Sequence, residues 1–388
     1  MSLRGKAAIA GLGITAQGRI FGRDSSDFAA EAIKLALEDA GLRKDELDGL
    51  LINSGVAYDG LSVPLQNTLG LRNIRLLNHM NAHGATAGAM VKFAALAIEA
   101  GMADVVACVF ADAAVKPTRS GSAAYAKTSL PAGMASLTAF YGHFGAATAR
   151  FSLAARRHMD QYGTTSKQFG EIAVAERAWA VKNPLAQMRT SLTIEDHQNS
   201  RYICDPFRLL DCCLVSNGGV AVIVTSAERA RTLKQPPVYI LGMGEGHPGD
   251  PGRADWDPST QTGAAVAKET AFKMAGVSLS DIDLCQIYDC YTYTVLVTLE
   301  DYGFCEKGEG GPFVEDGKLG PGGSLPTNTG GGQLSAYYMW GMTPLSEAVI
   351  QVRGQAGERQ VKKHELTLVT GNGGTLAYHS TLILGSHS

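Results

Sequence analysis

Residues 29–53 read AAEAIKLALEDAGLRKDELDGLLIN, and residues 264–288 read AAVAKETAFKMAGVSLSDIDLCQIY. Each stretch sets apolar side chains at three- and four-residue spacing, which predicts a helix with one buried stripe. Each then reaches Ala-Gly, at Ala40-Gly41 and Ala275-Gly276, where glycine can take the left-handed conformation that ends a helix. A short polar link leads to an aspartate, Asp48 or Asp283, and then to an apolar strand. Upstream, the run from Ala7 to Gly13 parallels that from Val238 to Gly244, each a strand ending in glycines. Downstream, a helical pattern from about His83 to Ala100 parallels one from about Tyr338 to Gln355, leading to buried strands at Val105–Phe110 and Leu366–Thr370. Two similar halves predict an α/β protein built from two layered units related by a pseudo-twofold axis.

The repeat divides the chain. Residues 1–111 hold the first half of an N-terminal domain, and 112–200 form a loop and helical insertion. Residues 201–235 complete that domain and supply the linker, and 236–388 form a C-terminal domain. The insertion carries a Ser/Gly/Pro-bearing segment from Lys116 to Gly133 and helical patterns over Phe140–Tyr162 and Thr165–Val181. Its Tyr141, Phe144, Phe151 and Met159 fit either helix-core packing or the lining of an apolar tunnel.

Composition excludes several classes. With 34 basic and 37 acidic side chains the net charge is −3, so no general electrostatic case exists for nucleic acid or an anionic membrane surface. The most apolar window, Ala87 to Phe110, is broken by Lys92, Glu99 and Asp104, and falls short of a membrane span. The first residues lack the basic-then-apolar pattern of a secretory signal. The cysteines are Cys108, Cys204, Cys212, Cys213, Cys285, Cys290 and Cys305, an odd set whose spacing fits no zinc site. A cytoplasmic protein with reduced cysteines and no metal or other cofactor is expected. Gly11 and Gly13 lack the third glycine of a dinucleotide fingerprint.

Three stretches carry a family resemblance: Lys6 to Gly13, Ala40 to Gly49 with its Leu47-Asp48-Gly49, and Pro206 to Gly219 with its Asp211-Cys212-Cys213 and Ser216-Asn217-Gly218-Gly219. Together with the doubled layout they resemble the thiolase superfamily, in particular its sterol-carrier-protein thiolase branch, over essentially the whole chain. That resemblance implies a five-layer α-β-α-β-α fold with a helical insertion.

The chemical positions depart from the family's pattern. The stretch matching the nucleophile motif Asn-x-Cys-Ser-x-Gly is Asn81-Ala-His83-Gly-Ala-Thr86, and no cysteine precedes Cys108. The His-Asp-Cys-Phe-like motif reads Tyr288-Asp289-Cys290-Tyr291. The Asn-Pro-x-Gly-Gly-x-x-Ser-x-Gly-His motif reads from Asn328 through Gly331, Gly332 and Ser335 to Tyr338. The second cysteine's place falls at Thr370, ahead of Gly371, Gly373 and Gly374. Acyl transfer through a cysteine thiolate is therefore not expected.

Two tyrosines in place of two histidines resemble the steroid side-chain-cleaving aldolases, thiolase-like enzymes that cleave a β-hydroxyacyl-CoA in the retro-aldol direction. By that resemblance Tyr338 takes the proton of the substrate hydroxyl and Tyr288 serves the thioester enolate, or the two act in swapped roles, the pair being expected in equivalent slots of the two halves. His83, Asp289, Ser335, Gly331, Gly332, Gly373 and Gly374 are expected to line the site, with packing, capping or turn roles open for each. CoA enters as part of the substrate. The resemblance further implies a homodimer and a small partner with a zinc ribbon and an OB-like domain. Two alternatives stay open: a lyase acting on a non-steroid acyl-CoA, and a non-catalytic lipid- or acyl-CoA-binding subunit.

Overall fold

The structure is a computed structural model that describes residues 2–53, 62–118, 124–125, 147–248, 257 and 259–388. Its strands are β1 (Ala7–Ile14), β2 (Gly49–Asn53), β3 (Leu76–Met80), β4 (Val105–Asp112), β5 (Tyr202–Cys204), β6 (Phe207–Arg208), β7 (Gly218–Ser226), β8 (Val238–Gly246), β9 (Leu284–Gln286), β10 (Leu366–Gly373) and β11 (Tyr378–Gly385). The helices that matter here are α1 (Ser25–Ala40), α2 (Ser62–Leu69), α3 (Thr86–Glu99), α4 (Ala147–Tyr162), α5 (Ser166–Val181), α6 (Ala264–Ala275), α7 (Thr292–Tyr302) and α8 (Met342–Val352).

One mixed sheet of nine strands runs β3-β2-β4-β7-β1-β8-β11-β10-β9, and β5 pairs separately with β6. Followed outward from the β1–β8 junction, the two sides match. β1–β7 and β7–β4 are antiparallel, while β4–β2 and β2–β3 are parallel. On the other side β8–β11 and β11–β10 are antiparallel, β10–β9 is parallel, and a parallel bridge from Cys285 to Thr327 stands in for a fifth strand. Helices α3 and α8 pack between the two half-sheets, with α1 and α6 on the outer faces. That is the expected five-layer order.

The repeated residues have repeated jobs. Glycines end both helices at Gly41 (φ 74°) and Gly276 (φ 64°). A Cβ on Gly11 or Gly13 would strike the carbonyls of Ala36 and Ala32, and one on Gly242 or Gly244 those of Ala271 and Ala267. These strand glycines therefore let α1 and α6 lie directly on the sheet. Asp48 accepts the N–H groups of Asp104 and Val105 at 2.9 and 2.8 Å; Asp283 accepts those of Glu365 and Leu366 at 3.0 and 2.9 Å. Each aspartate satisfies the backbone where the neighbouring strand begins.

Of the insertion helices, α5 begins where expected, after its cap Thr165, and α4 ends at Tyr162 as expected, while residues 140–146 of the expected Phe140–Tyr162 pattern lie outside the described residues. Of the four tunnel candidates, Tyr141 and Phe144 lie outside the described residues. Phe151 is buried against Tyr291 at 4.9 Å, and Met159 is partly buried against the core, so these two serve packing. The helix expected from Tyr338 starts only at Met342, because Tyr337 is extended and Trp340 has φ 49°. Tyr338 thus sits in a loop.

Candidate active site

Tyr288 follows β9 and is held by its backbone on both sides: its N–H donates to Thr370 Oγ1 at 3.2 Å, and its carbonyl accepts from Thr294 Oγ1 at 3.0 Å. Its ring packs against Gly84, where any Cβ would overlap the ring carbons. Tyr338 follows a π-helical turn, Gly332–Ala336, and its N–H donates to Ser216 Oγ at 3.0 Å. The two phenols lie beside one another, each perturbing the other's titration. Tyr288 is 5 % exposed, whereas Tyr338 keeps part of its surface open. Adjacent Tyr337 turns into the core, bonded to Ser346 Oγ at 2.7 Å.

Burial pushes both phenols well above the usual tyrosine range. The neighbouring Tyr338 phenol pulls the other way for Tyr288, while for Tyr338 the charge of an ionised Tyr288 adds to the rise. Both therefore carry their protons at neutral pH.

Both tyrosines come from the second half of the chain, not one from each half as expected from the sequence. The first half supplies the Gly84 backing and, from beyond the insertion, Cys213, whose charge would act on both phenols. Burial raises the Cys213 thiol, with Cys290 adding to the shift, so it stays protonated. Tyr125 is a third phenol near Tyr338, and its hydroxyl donates to Asp112 Oδ2 at 2.8 Å. Sequence reasoning missed Tyr125 and Asp112. The one available signal for Cys213 was its place in the Asp211-Cys212-Cys213 string.

The remaining candidates fall into two groups. His83 opens a 3-10 turn at the start of α3 with φ 52°; its exposed ring lies 5.8 Å from that of Trp340 and 6.2 Å from that of Tyr378. Burial of part of the ring lowers its pKa, leaving it neutral at pH 7. Asp289 is buried, with Oδ2 accepting the N–H groups of Gln333 (2.6 Å) and Leu334 (3.1 Å). Ser335 Oγ accepts from Arg177 Nε of α5 at 2.8 Å. A Cβ on Gly331 would strike Ala180 of α5, and one on Gly373 the carbonyl of Ala82. Gly374 has φ 61°. Asp289, Ser335 and these glycines thus join the tyrosine-bearing loops to the insertion and to the start of α3.

Residues 252–386 match the family model described as "Thiolase C-terminal domain-like". The chain is 37 % identical to "Steroid side-chain-cleaving aldolase" of Thermomonospora curvata, with 99 % of each chain aligned. It belongs to the thiolase superfamily. Its branch of that superfamily, the sterol-carrier-protein thiolase-like proteins, includes these aldolases. A second relative, "17-hydroxy-3-oxo-4-pregnene-20-carboxyl-CoA lyase" of Mycobacterium tuberculosis, is also 37 % identical, over 99 % of this chain and 100 % of that one. Among solved structures, "Ltp2-ChsH2(DUF35) aldolase" superposes with a TM-score of 0.87 at 35 % identity, covering 99 % of both chains. Within this thiolase-superfamily scaffold, the start of α3 carries an imidazole and no thiol.

Proposed function

We propose that this chain is an aldolase that cleaves a β-hydroxyacyl-CoA, specifically a 17-hydroxy steroid side-chain CoA thioester, into a ketone and propionyl-CoA with no acyl-enzyme. The observation that carries this reading is the pair of neighbouring phenols, Tyr288 packed on Gly84 and Tyr338 on the loop held by Ser216. The names of the two 37 %-identical relatives support the substrate class.

Retro-aldol cleavage removes a proton from the substrate hydroxyl and returns one to the enolate carbon. Phenols this deeply buried are poor phenolates, so a mechanism needing a free phenolate is disfavoured. A relay through two neighbouring neutral phenols avoids it. The hydroxyl proton passes to Tyr338 Oη as the carbon–carbon bond breaks and the ketone forms. The Tyr338 proton passes to Tyr288, and the Tyr288 proton passes to the enolate. Both tyrosines end as they began, and protons balance. A phenol O–H is also a good donor to the developing enolate oxygen.

In the same reading His83, Asp289, Ser335, Gly331, Gly332, Gly373 and Gly374 form the surroundings of the acyl-CoA, with Asp289 and Ser335 acting through the loops they hold. CoA belongs to the substrate. Among the described residues no group of three His, Cys, Asp or Glu side chains is arranged to hold a metal. We also propose a cytoplasmic homodimer; the exposed edge strand β3, open at Leu77, Asn78 and His79, supports a second copy packing there. A small zinc-ribbon/OB-fold partner is proposed as well, supported by the complex named in the matching aldolase structure. No described helix is long and apolar enough to cross a membrane.

The test is turnover of a 17-hydroxy steroid side-chain CoA thioester, with and without that partner, following release of ketone and propionyl-CoA. Release of both products in equal amounts is expected. Absence of cleavage under both conditions overturns the proposal.

A further inference from the structure

Glu176 lies on the insertion helix α5 and is 1 % exposed. Its Oε1 accepts from Asn328 Nδ2 at 2.7 Å, and Asn328 Oδ1 accepts the N–H of Ile287 at 2.7 Å, one residue before Tyr288. Among the described residues its Oε2 has no N–H or hydroxyl donor. That oxygen and Asp289 Oδ2 both press on the Cα of Gly332, where a Cβ would collide with each. Asp289 is one residue after Tyr288, and it holds the N–H groups of Gln333 and Leu334 in the turn that leads to Tyr338. One pair of carboxyl groups therefore grips the backbone on both sides of Tyr288 and the approach to Tyr338.

Two carboxylates this close in a buried interior do not both ionise. A proton on Glu176 gives Oε2 the partner it lacks and Asp289 one more donor. Burial, with the Asp289 charge second, pushes Glu176 well above the ordinary carboxyl range; burial raises Asp289 too, but its bond from Glu176 pulls it back down.

We propose that Glu176 shares a proton with Asp289 and is a positioning residue for the tyrosine pair, locking the insertion helix to both tyrosine-bearing segments. The charged and titratable neighbours leave this proton in place. Arg177 turns away to Ser335 Oγ and to the carbonyl of Thr190. Glu347, across a small polar cavity also lined by Asn328 and Asp289, is neutralised by Arg359 at 3.0 Å. Tyr288, Cys213 and Cys290 are kept protonated by burial. Among the described residues no cation is ion-paired with Glu176 or Asp289.

The role in catalysis rests on the aldolase reading; the shared proton does not. Because the folded pKa of Glu176 lies above its unfolded value, the stability it confers is complete at low pH and declines as pH rises towards the folded pKa. The experiment compares the full chain with Glu176→Gln and Glu176→Ala, by melting temperature from about pH 5 to about pH 9 and by steady-state cleavage of the steroid CoA thioester. Glutamine can donate to Asp289 and accept from Asn328 without a titrating proton. It is expected to flatten the decline in Tm with pH and to rescue the activity that alanine loses. Alanine is expected to lower kcat on the order of 10²-fold with KM little changed, as for loops displaced by about 1 Å. Superimposable pH–Tm curves for the parent protein and Glu176→Gln, or an undiminished kcat in Glu176→Ala, would overturn the proposal. If the parent protein cleaves nothing, the aldolase reading fails, and the melting curves alone decide whether the proton is shared.

Discussion

At the start of α3, His83 has φ 52° and precedes Gly84; at the start of α8, Trp340 has φ 49° and precedes Gly341. A threonine closes both turns: Thr86 Oγ1 accepts the N–H of Ala82 at 2.7 Å, and Thr343 Oγ1 accepts that of Met339 at 2.9 Å. The two elbows also meet, since the His83 and Trp340 rings are 5.8 Å apart and a Cβ on Gly341 would strike the Gly84 carbonyl. The counterpart of His83 is thus Trp340, not Tyr338, which stands two residues earlier, at the place of Asn81. Left-handed backbone at a non-glycine residue costs about 1–3 kcal/mol and persists where the surroundings enforce it. Here the same scaffold enforces it twice, with an exposed imidazole in one half and an indole buried on Phe110 at 5.1 Å in the other. The elbow belongs to the fold, and in this chain the phenols lie beside it.

The sharpest way to break that contrast is to remove one hydroxyl from beside the elbow. Tyr288→Phe and Tyr338→Phe are each expected to lower turnover by about 10²–10⁴, read as ketone release, with a normal melting temperature. Tyr337→Phe is the control; its hydroxyl bonds only Ser346, and a stability cost of about 1 kcal/mol is expected with turnover retained. The same pair fixes the pH dependence. Both phenols are raised above their usual range, so they remain protonated through neutral and mildly alkaline solution, and a proton relay loses nothing to their ionisation there. Any alkaline limb should then follow Glu176 and disappear in Glu176→Gln. A limb that persists in that variant would assign the titration to a phenol and remove the case for a relay between neutral tyrosines.

The elbow residue of the second half is next. Trp340 is 4 % exposed and stacked, so Trp340→Ala is expected to cost about 3–5 kcal/mol, measured by denaturant unfolding. Gly84→Ala is a smaller change aimed at the boundary between elbow and site. Its methyl would overlap the Tyr288 ring and the Asn372 carbonyl, so about 1–3 kcal/mol of strain is expected, with turnover falling more steeply than stability.

Much of the scaffold was legible because each repeated residue meets a local demand. Gly41 and Gly276 end helices, Asp48 and Asp283 bind backbone N–H groups, and the paired strand glycines admit a helix. Such demands recur at fixed spacing, so they survive in a single sequence. The tyrosines were legible only through the family's motifs, since Tyr337 and Tyr338 are adjacent and nothing local says which one turns inward. Glu176 and Tyr125 were not legible at all. Their partners are 113 and 13 residues away respectively, Asp289 for the first and Asp112 for the second, and neither pairing leaves a periodic trace. The same limit explains the four-residue slip at the start of α8. A helix pattern locates a helix, but the loop carrying Tyr338 is set by the left-handed turn at Trp340, which a tryptophan does not announce.

The smallest effect is expected at the residue that first drew notice. His83 is exposed, neutral at pH 7 and only tilted against Trp340 and Tyr378, so His83→Ala should change stability by no more than about 0.5 kcal/mol. His83→Cys asks more of the comparison, because it restores a thiol at the elbow without restoring a histidine at either tyrosine. The two phenols assigned to the chemistry, Tyr288 and Tyr338, are raised and protonated, and phenols of that kind do not generate a thiolate at neutral pH. Acetyl transfer from acetyl-CoA by His83→Cys should therefore stay at background, while steroid thioester cleavage continues. Measurable transfer would mean that the elbow alone sets the chemistry and that the phenol pair is incidental to it.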